Sequence, residues 1–366
     1  MAYRASSDKG LFITAGVLTI FGLVMVYSAS SVVASSRHGM SSYFFLRQLA
    51  YAGAGYILMI ILMNRDYHMW QRSNVIRWMI VLSIVSLAFV FTQPPINGSH
   101  RWLRFAAVIS FQPSEMAKLV YLIFLAAYLH NYEQEINRPR DRLLPCLLVL
   151  GLFAGLIAAE PDLGQAVCLA LIAGLLLFLA GLSWRYIAGG ALLAIPAFYF
   201  LVVRVPYRWN RINAFLDPNQ DSLGTGWHIS QSLTAVGSGG LWGLGLGASK
   251  QKMFFLPEAH SDFIFAVIGE ELGFVGAGFL VLAFGFFLFC GLRIALKAPD
   301  RFGFYLGVGI TLLVTLQAFI NISMVLALLP TKGIALPFIN QGGSSLLLNL
   351  VATGLLLNIA HYGEET

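Results

Sequence analysis

Four groups of residues in this chain have the types and spacing to do chemistry. The first is Pro257-Glu258-Ala259-His260-Ser261-Asp262, which runs directly into Phe263-Ile264-Phe265-Ala266. Asp262 stands where a polar segment turns into an apolar helix. An aspartate there caps the helix, worth about 1 kcal/mol, or acts as a carboxylate at the water–membrane boundary that accepts a proton or holds a divalent cation. The two roles are compatible, because a carboxylate has several acceptor positions. The second group, Gly269-Glu270-Glu271-Leu272-Gly273, lies two turns further on. On a regular helix Glu270 is about 80° from Asp262 and Glu271 about 180° away, so the three do not share a face. Carboxylates inside a membrane are costly and are functional candidates by default. A buried packing network and a role in transport or substrate binding both stay open for them, while Gly269 and Gly273 permit a close helix contact.

The third group is Asn97-Gly98-Ser99-His100-Arg101-Trp102 followed by Gln112-Pro113-Ser114-Glu115-Met116-Ala117-Lys118. Glu115 and Lys118 are i,i+3 neighbours in the first turns of a helix. Glu115 suits the helix dipole there and Lys118 can snorkel. Yet dipole and topology both disfavour a cation at this outer helix start, and such a placement points to an anion to be bound. The fourth group is Pro330-Thr331-Lys332-Gly333, then Pro337-Phe338-Ile339-Asn340-Gln341-Gly342-Gly343-Ser344-Ser345. Gly-Gly-Ser-Ser opening a helix is either a flexible cap or a cradle of amides and hydroxyls for phosphate or sugar. Each group alone is weak. Together they place carboxylate, Lys, Arg and anion cradles on one face, which suits an amphiphile with an anionic head.

The elements that position these groups are membrane helices. Of the 366 residues, 58% are hydrophobic and 11% charged, with a mean hydropathy of +0.76, against about 25% charged in a soluble domain. Soluble enzyme, secreted domain and disordered scaffold are excluded. Ten spans are expected, near 11–31, 46–63, 75–92, 114–130, 143–159, 164–181, 185–204, 262–292, 303–329 and 344–361. In lipid the backbone must satisfy itself, so the fold class is an all-α polytopic membrane bundle forming a single domain over 1–366. The stretch from Leu11 to Ser30 is too long for a signal-peptide core and reads as an uncleaved first span. Twelve of the 23 Lys and Arg fall in segments that are inner if the N-terminus is cytoplasmic, and six in short outer ones. Both termini are therefore expected in the cytoplasm. Arg204, Arg208, Arg211, Lys250 and Lys252 sit in or beside the one long outer loop, about 205–261, and long loops escape this rule. This loop also contains a run of glycines between Gly224 and Gly247 and an amphipathic stretch, Trp227 to Val236, that can lie on the membrane surface.

The net charge of +6 is scattered between spans and implies no nucleic acid. Cys146, Cys168 and Cys290 lie in spans without metal-ligand spacing and read as packing residues. The Gly-x-Gly strings cannot form a dinucleotide fold in a helical bundle, and there is no Walker-type phosphate loop, so no nucleotide cofactor is expected. No internal repeat is evident, which disfavours inverted-repeat transporters.

The strings Asn97–Trp102, Gln112–Lys118, Glu160-Pro161-Asp162-Leu163-Gly164, Asp217-Pro218, Pro257–Gly273 and Pro330–Ser345, in this order and spacing, resemble the SEDS family (shape, elongation, division, sporulation) of bacterial membrane proteins. Gly245-Leu246-Gly247 with Lys250-Gln251-Lys252, Pro257–His260 and Ile268–Glu271 are more similar to its division members than to its elongation members. One departure is Asn340-Gln341, where the family usually reads Ser-Tyr. The resemblance implies a ten-helix bundle in the bacterial cell membrane, at the division septum. The activity it implies is a glycosyltransferase joining lipid II into glycan strands on the outer face. It implies Asp262 as the essential base, and Arg101, Glu115, Lys118 and Lys332 around the substrate groove, to which Ser344 and Ser345 are added from the glycine-serine cradle. Its implied partners are lipid II, the growing strand, a class B penicillin-binding protein, other division proteins and membrane lipids. A divalent cation, Mg²⁺ or Mn²⁺, is a candidate cofactor. The chemistry is coherent, since a sugar 4-hydroxyl benefits from a base and a pyrophosphate leaves without an acid once its charge is countered. The competing reading is a flippase for a lipid-linked precursor that uses Glu270 and Glu271 as a polar path. A non-catalytic scaffold is a third.

Overall fold

The computed structural model describes residues 8–94, 99–105, 109–218 and 224–363. Asn97 and Gly98 of the third group lie outside them. The ten expected spans are all helices. They are α1 (Asp8–His38), α2 (Tyr43–Met63), α3 (Ser73–Val90), α4 (Pro113–Tyr132), α5 (Leu144–Ala159), α6 (Leu163–Leu179), α7 (Trp184–Phe198), α10 (Ile264–Leu296), α11 (Arg301–Val325) and α12 (Gly343–Gly363). Two shorter helices, α8 (Pro206–Leu216) and α9 (Thr225–Ser238), fill the long loop, and one small hairpin pairs β1 (Leu103–Phe105) with β2 (Ile109–Phe111) in antiparallel register, Leu103 opposite Phe111.

Eight of the described helices are long and apolar enough to cross a bilayer unaided. Among the eight, α5 and α7 reach spanning length together with the π-helical turns Pro139–Leu143 and Tyr199–Val203 that adjoin them; the two others expected to span are α6, apolar but only 17 residues long, and α4, which carries Glu115 and Lys118. Both are packed on several sides, as is α11, buried along most of its length. By contrast α7 buries no residue and turns its apolar side chains to lipid. Composition thus sorts the bundle: polar residues enter the membrane only on helices whose neighbours can bond them. Cys146, Cys168 and Cys290 are free thiols buried within it. At the end of the bundle opposite Asp262, His68 Nδ1 lies 2.7 Å from Asp66 Oδ1 and its Nε2 2.6 Å from Asp300 Oδ2. These contacts fasten the α2–α3 turn to the start of α11.

Three local features differ from the sequence expectation. The α10 helix is broken at Gly273 (φ +65°, ψ −162°). The glycine-rich segment closes on this break, with Leu244 N donating to Glu270 O at 3.0 Å, Gly245 N to Glu271 O at 3.0 Å, Phe274 N to Gly240 O at 2.9 Å and Val275 N to Leu241 O at 3.2 Å. A Cβ on Gly239 would sit 1.9 Å from Gly269 O and one on Gly243 2.2 Å from Glu271 O, while one on Gly269 would lie 3.1 Å from Val236 Cγ2, so Gly269 admits the end of α9 and Gly273 the loop that follows it. The amphipathic stretch becomes α9, which packs on α10 and α11 through Ile229, Ser232 and Ala235, with Ser232 Oγ donating to Val325 O at 2.7 Å. Finally, Asp262 does not cap α10. The residue before the helix is Phe263, and no side chain accepts from its first turn.

Candidate active site

The site forms where three chain segments meet: the 257–263 turn, the 330–341 loop and the α5–α6 turn. Asn321 of α11 joins the first two by donating from Nδ2 to Asp262 O at 3.0 Å and to Ile334 O at 2.7 Å. Gln341 N donates to His260 O at 3.1 Å, and the His260 ring stacks on Phe44 at 5.6 Å. Because Gln341 engages through its backbone, the Asn340-Gln341 departure leaves this contact intact. The chain can approach so closely because of Gly333, where a Cβ would lie 3.0 Å from Asp262 Oδ2 and 3.6 Å from Arg101 Nη1.

Beside Gly333 opens a groove of about 130 Å³ whose walls carry Arg101, Arg208, Arg211, Lys332 and a single acid, Asp162. Arg101 is held by the α5–α6 turn, donating from Nε to Glu160 O at 3.2 Å and from Nη2 to Pro161 O at 2.6 Å, with Nη1 3.9 Å from Asp162 Oδ2. Arg211 lies over the Tyr207 ring at 4.5 Å and reaches Thr331 O at 3.4 Å, while Arg208 Nη1 donates to Leu201 O at 2.7 Å. Most of these contacts are to main-chain carbonyls, and Asp162 is the one acid set against the four cations of the groove wall, which leaves a net positive charge, the electrostatics of an anion site. Burial, together with Arg211 and Arg208, pushes the Lys332 ammonium below its ordinary range, opposed by Asp162. An arriving anion would reverse that.

Asp262 accepts no side-chain hydrogen bond among the described residues, and it keeps part of its surface open. Its dense surroundings push the carboxyl up to about 7, with Glu258 and Asp162 adding to the rise and Arg101 and Arg211 opposing it. A carboxylate titrating near neutrality is suited to exchange protons. Behind it, Asp162 Oδ1 accepts weakly from Gln165 N at 3.4 Å, while Oδ2 is buried without a hydrogen-bond partner among the described residues. Both oxygens of Glu160 are also buried and unpartnered, and burial with Asp162 nearby raises its carboxyl to about 8, opposed by Arg101. Glu160 thus holds its proton at neutral pH.

The structure brings Asp262, Arg101 and Lys332 together around the groove. Lys118 and Glu115 stand behind it. Lys118 is fully buried, its Nζ donating to Glu115 Oε1 at 2.8 Å and Gln165 Oε1 at 2.6 Å. Gln165 Nε2 returns to Glu115 Oε1 at 3.1 Å and Gln317 Nε2 reaches Gln165 Oε1 at 3.0 Å. Lys118 therefore neither snorkels nor meets an anion in the groove; it fixes Gln165, whose backbone bonds Asp162. Ser344 and Ser345 are buried away from the groove walls, with Ser344 Oγ accepting from Gln112 N at 3.2 Å and Ser345 Oγ from Asn349 Nδ2 at 3.3 Å. Of the fourth group, Pro330 to Gly333 line the groove and the 337–345 string does not.

Glu270 and Glu271 resolve into the packing network. Glu270 accepts from Ser249 Oγ and from Lys250 N at 2.9 Å; Glu271 accepts from Lys252 Nζ at 2.7 Å, Ser28 Oγ at 2.6 Å and Ser249 N at 3.3 Å. Their acceptor capacity goes to Ser28 of α1 and to the base of the loop that leads to Asp262, and neither lines the groove.

Residues 8–365 match the family model of the cell cycle proteins FtsW, RodA and SpoVE. This chain belongs to that family. It is 42% identical to the probable peptidoglycan glycosyltransferase FtsW of Geobacter sp. (strain M18), over 96% of each chain. It is 41% identical to the stage V sporulation protein E of Bacillus subtilis (strain 168), over 99% of each. Among solved structures, a chain of a peptidoglycan synthase complex that coordinates polymerization and crosslinking superposes with a TM-score of 0.81 at 26% identity over 98% of both chains. The RodA of Thermus thermophilus superposes with 0.70 at 26% identity over 96% of both. For an FtsW/RodA/SpoVE fold the groove residues that motif reading passed over are Arg208, Arg211 and Asp162. The two arginines carried a signal, an i,i+3 pair on a helix in a loop where topology gave them no work.

Proposed function

We propose that this chain is a peptidoglycan glycosyltransferase that polymerises lipid II on the outer face of the bacterial cell membrane, with Asp262 as general base. The observation that carries this reading is a carboxylate, Asp262, set against Gly333 on the rim of a groove walled by four cations. The 4-hydroxyl of the acceptor sugar gives its proton to Asp262 as its oxygen bonds the donor's anomeric carbon. The bond from that carbon to the pyrophosphate breaks, and the electron pair leaves with the undecaprenyl pyrophosphate. Arg101, Arg208, Arg211 and Lys332 meet that charge, which is placed where it develops. One pyrophosphate needs no protonation to depart, so a single carboxylate suffices.

Among the described residues no three acidic, His or Cys side chains form a metal cage. Asp262 and the orphaned Asp162 Oδ2 instead fit the pattern of a Mg²⁺ or Mn²⁺ held by one or two carboxylates plus substrate phosphates. A cation bound there would supply further charge to the leaving pyrophosphate.

The natural partner is a class B penicillin-binding protein that crosslinks the new strand, working with other division proteins at the septum. The face of α10 below its break, with Leu282 and Phe289 exposed, is the surface proposed for its membrane span. The flippase alternative loses its residues, because Glu270 and Glu271 are fully engaged.

The test is the purified protein with its transpeptidase and lipid II. Asp262→Asn keeps the size of the side chain and, since Asp262 makes no cap, removes only the charge and basic lone pair. The variant should insert, bind its partner and make no detectable glycan across a range of Mg²⁺ and Mn²⁺. Full activity of this variant overturns the mechanism, and recovery at high metal assigns Asp262 to metal ligation instead.

A further inference from the structure

The segment between α9 and Asp262 was expected in water, yet it presents an apolar surface. Residues 239–249 contain no charge. Leu241 is 64% exposed, Trp242 79%, Leu246 61%, Phe254 63% and Phe255 52%. A soluble loop of this character would be an anomaly.

We infer that this segment is seated in the outer leaflet of the membrane and holds the loop bearing Asp262 at a fixed depth. Three observations carry the placement. The first is position: Phe274 N and Val275 N donate to Gly240 O and Leu241 O, so Leu241 and Trp242 sit beside the Gly273 break. From Gly273 to Leu296 the helix is about 36 Å long at 1.5 Å per residue, enough to cross a hydrocarbon core of about 30 Å. The break therefore lies at the outer hydrocarbon edge, where tryptophan is enriched. The second is continuity. Phe274 and Val275, 71% and 50% exposed, join the patch to the apolar face of α10 that carries Leu282 and Phe289. The third is satisfaction of the backbone. Irregular chain survives at this depth only if its polar groups are bonded within the protein. Here Leu244 N and Gly245 N take the Glu270 and Glu271 carbonyls left by the break, and the two carboxylates bind the Ser249–Lys252 turn that follows. Lys250, exposed just beyond the apolar run, stands where a phosphate headgroup would meet it.

The placement does not depend on which reaction the groove performs. It is tested with single cysteines at Trp242 and Leu246, labelled with an environment-sensitive fluorophore. The protein is reconstituted without partner into vesicles of phosphatidylethanolamine and phosphatidylglycerol. The three native cysteines are buried. Ser36→Cys, exposed at the outer end of α1, gives the water reference, and Leu282→Cys the membrane-core reference. Both test positions should be quenched at least threefold more by lipids carrying a nitroxide high on the acyl chain than by aqueous iodide, the reverse of Ser36→Cys. Iodide quenching equal to the Ser36→Cys reference at both positions overturns the inference. So does lipid or protein shielding that appears only when the transpeptidase is added, which assigns the surface to a partner protein. Because both side chains point away from the fold, loss of folding at one position leaves the other to decide.

Discussion

The pH dependence of polymerisation is the sharpest consequence of the way Asp262 is housed. An ordinary aspartate titrates near 3.8, and here burial with Glu258 alongside lifts it to about 7, a displacement of about three pH units (7 minus 3.8). A base works only when ionised, so kcat/KM should be half-maximal near pH 7, about one-tenth of maximal at pH 6 and nearly maximal at pH 8. The sign is opposite for the fold. A carboxyl whose value is raised on folding binds its proton more tightly in the native chain, so its contribution to stability is present in acid and is lost as the pH rises through 7. This part of stability therefore falls between about pH 3.8 and 7 while activity rises mainly between about pH 6 and 8, so the two move in opposite directions where those ranges overlap. The assay is the initial rate of glycan formation from subsaturating fluorescent lipid II at constant ionic strength, between about pH 5.5 and 8.5. Glu258→Gln provides the control, because it removes the largest charge contribution to the rise from an exposed position. Its limb should shift to lower pH while the plateau holds. A flat profile over this range, or a limb that Glu258→Gln leaves in place, would refute the assignment of Asp262 as a base raised by its surroundings.

Lys118→Met should strand the buried Glu115 carboxylate and cost about 3–5 kcal/mol; adding Glu115→Gln should restore most of the melting temperature but leave turnover at least tenfold low, about 1.4 kcal/mol of barrier, and normal turnover in the double variant would reduce the pair to packing. Gly333→Ala presses a methyl to 3.0 Å from Asp262 Oδ2 and should lower kcat about tenfold or more with unchanged membrane abundance, a result that unimpaired kcat would contradict. Gly278→Phe should weaken co-purification with the transpeptidase, since a Cβ there meets nothing within 4 Å and the surface is open. Gly276 is no equivalent probe, because its added Cβ would lie 2.2 Å from Leu272 Cβ within the same chain; if Gly278→Phe leaves the complex intact, the partner docks elsewhere.

Most of the architecture was legible because hydrophobic length is the strongest signal a membrane chain carries. All ten expected spans are helices with ends within a few residues of expectation, apart from α1, which runs on to His38, and α7, which ends at Phe198 before the π turn Tyr199–Val203. The short α6 was recoverable because Glu160-Pro161-Asp162-Leu163 separates two apolar runs. What length and hydropathy could not convey is the break in α10. Its residues are as apolar as those of an unbroken helix, and Gly273 differs from other intramembrane glycines only in its conformation, which the arriving glycine-rich loop imposes. Patterning along one segment is blind to a partner arriving from another.

The same blindness explains the misplaced chemistry. Lys118 at an outer helix start argued for a bound anion, but its counter-charge was three residues away and its second partner, Gln165, was 47 residues away. Glu270 and Glu271 were placed on different faces of an ideal helix. Yet both serve one turn, Ser249 to Lys252, which lies against the broken helix and takes a carboxylate from each. The cost of putting a carboxylate in a membrane does mark it as necessary. Whether the necessity is chemical or structural depends on how much of its acceptor capacity the protein consumes. Glu270 and Glu271 are spent on backbone amides, hydroxyls and a lysine; the carboxylate of Asp262, on the rim of four cations, accepts no hydrogen bond among the described residues. That contrast in occupancy, and not depth in the membrane, is what separates the base from the brace.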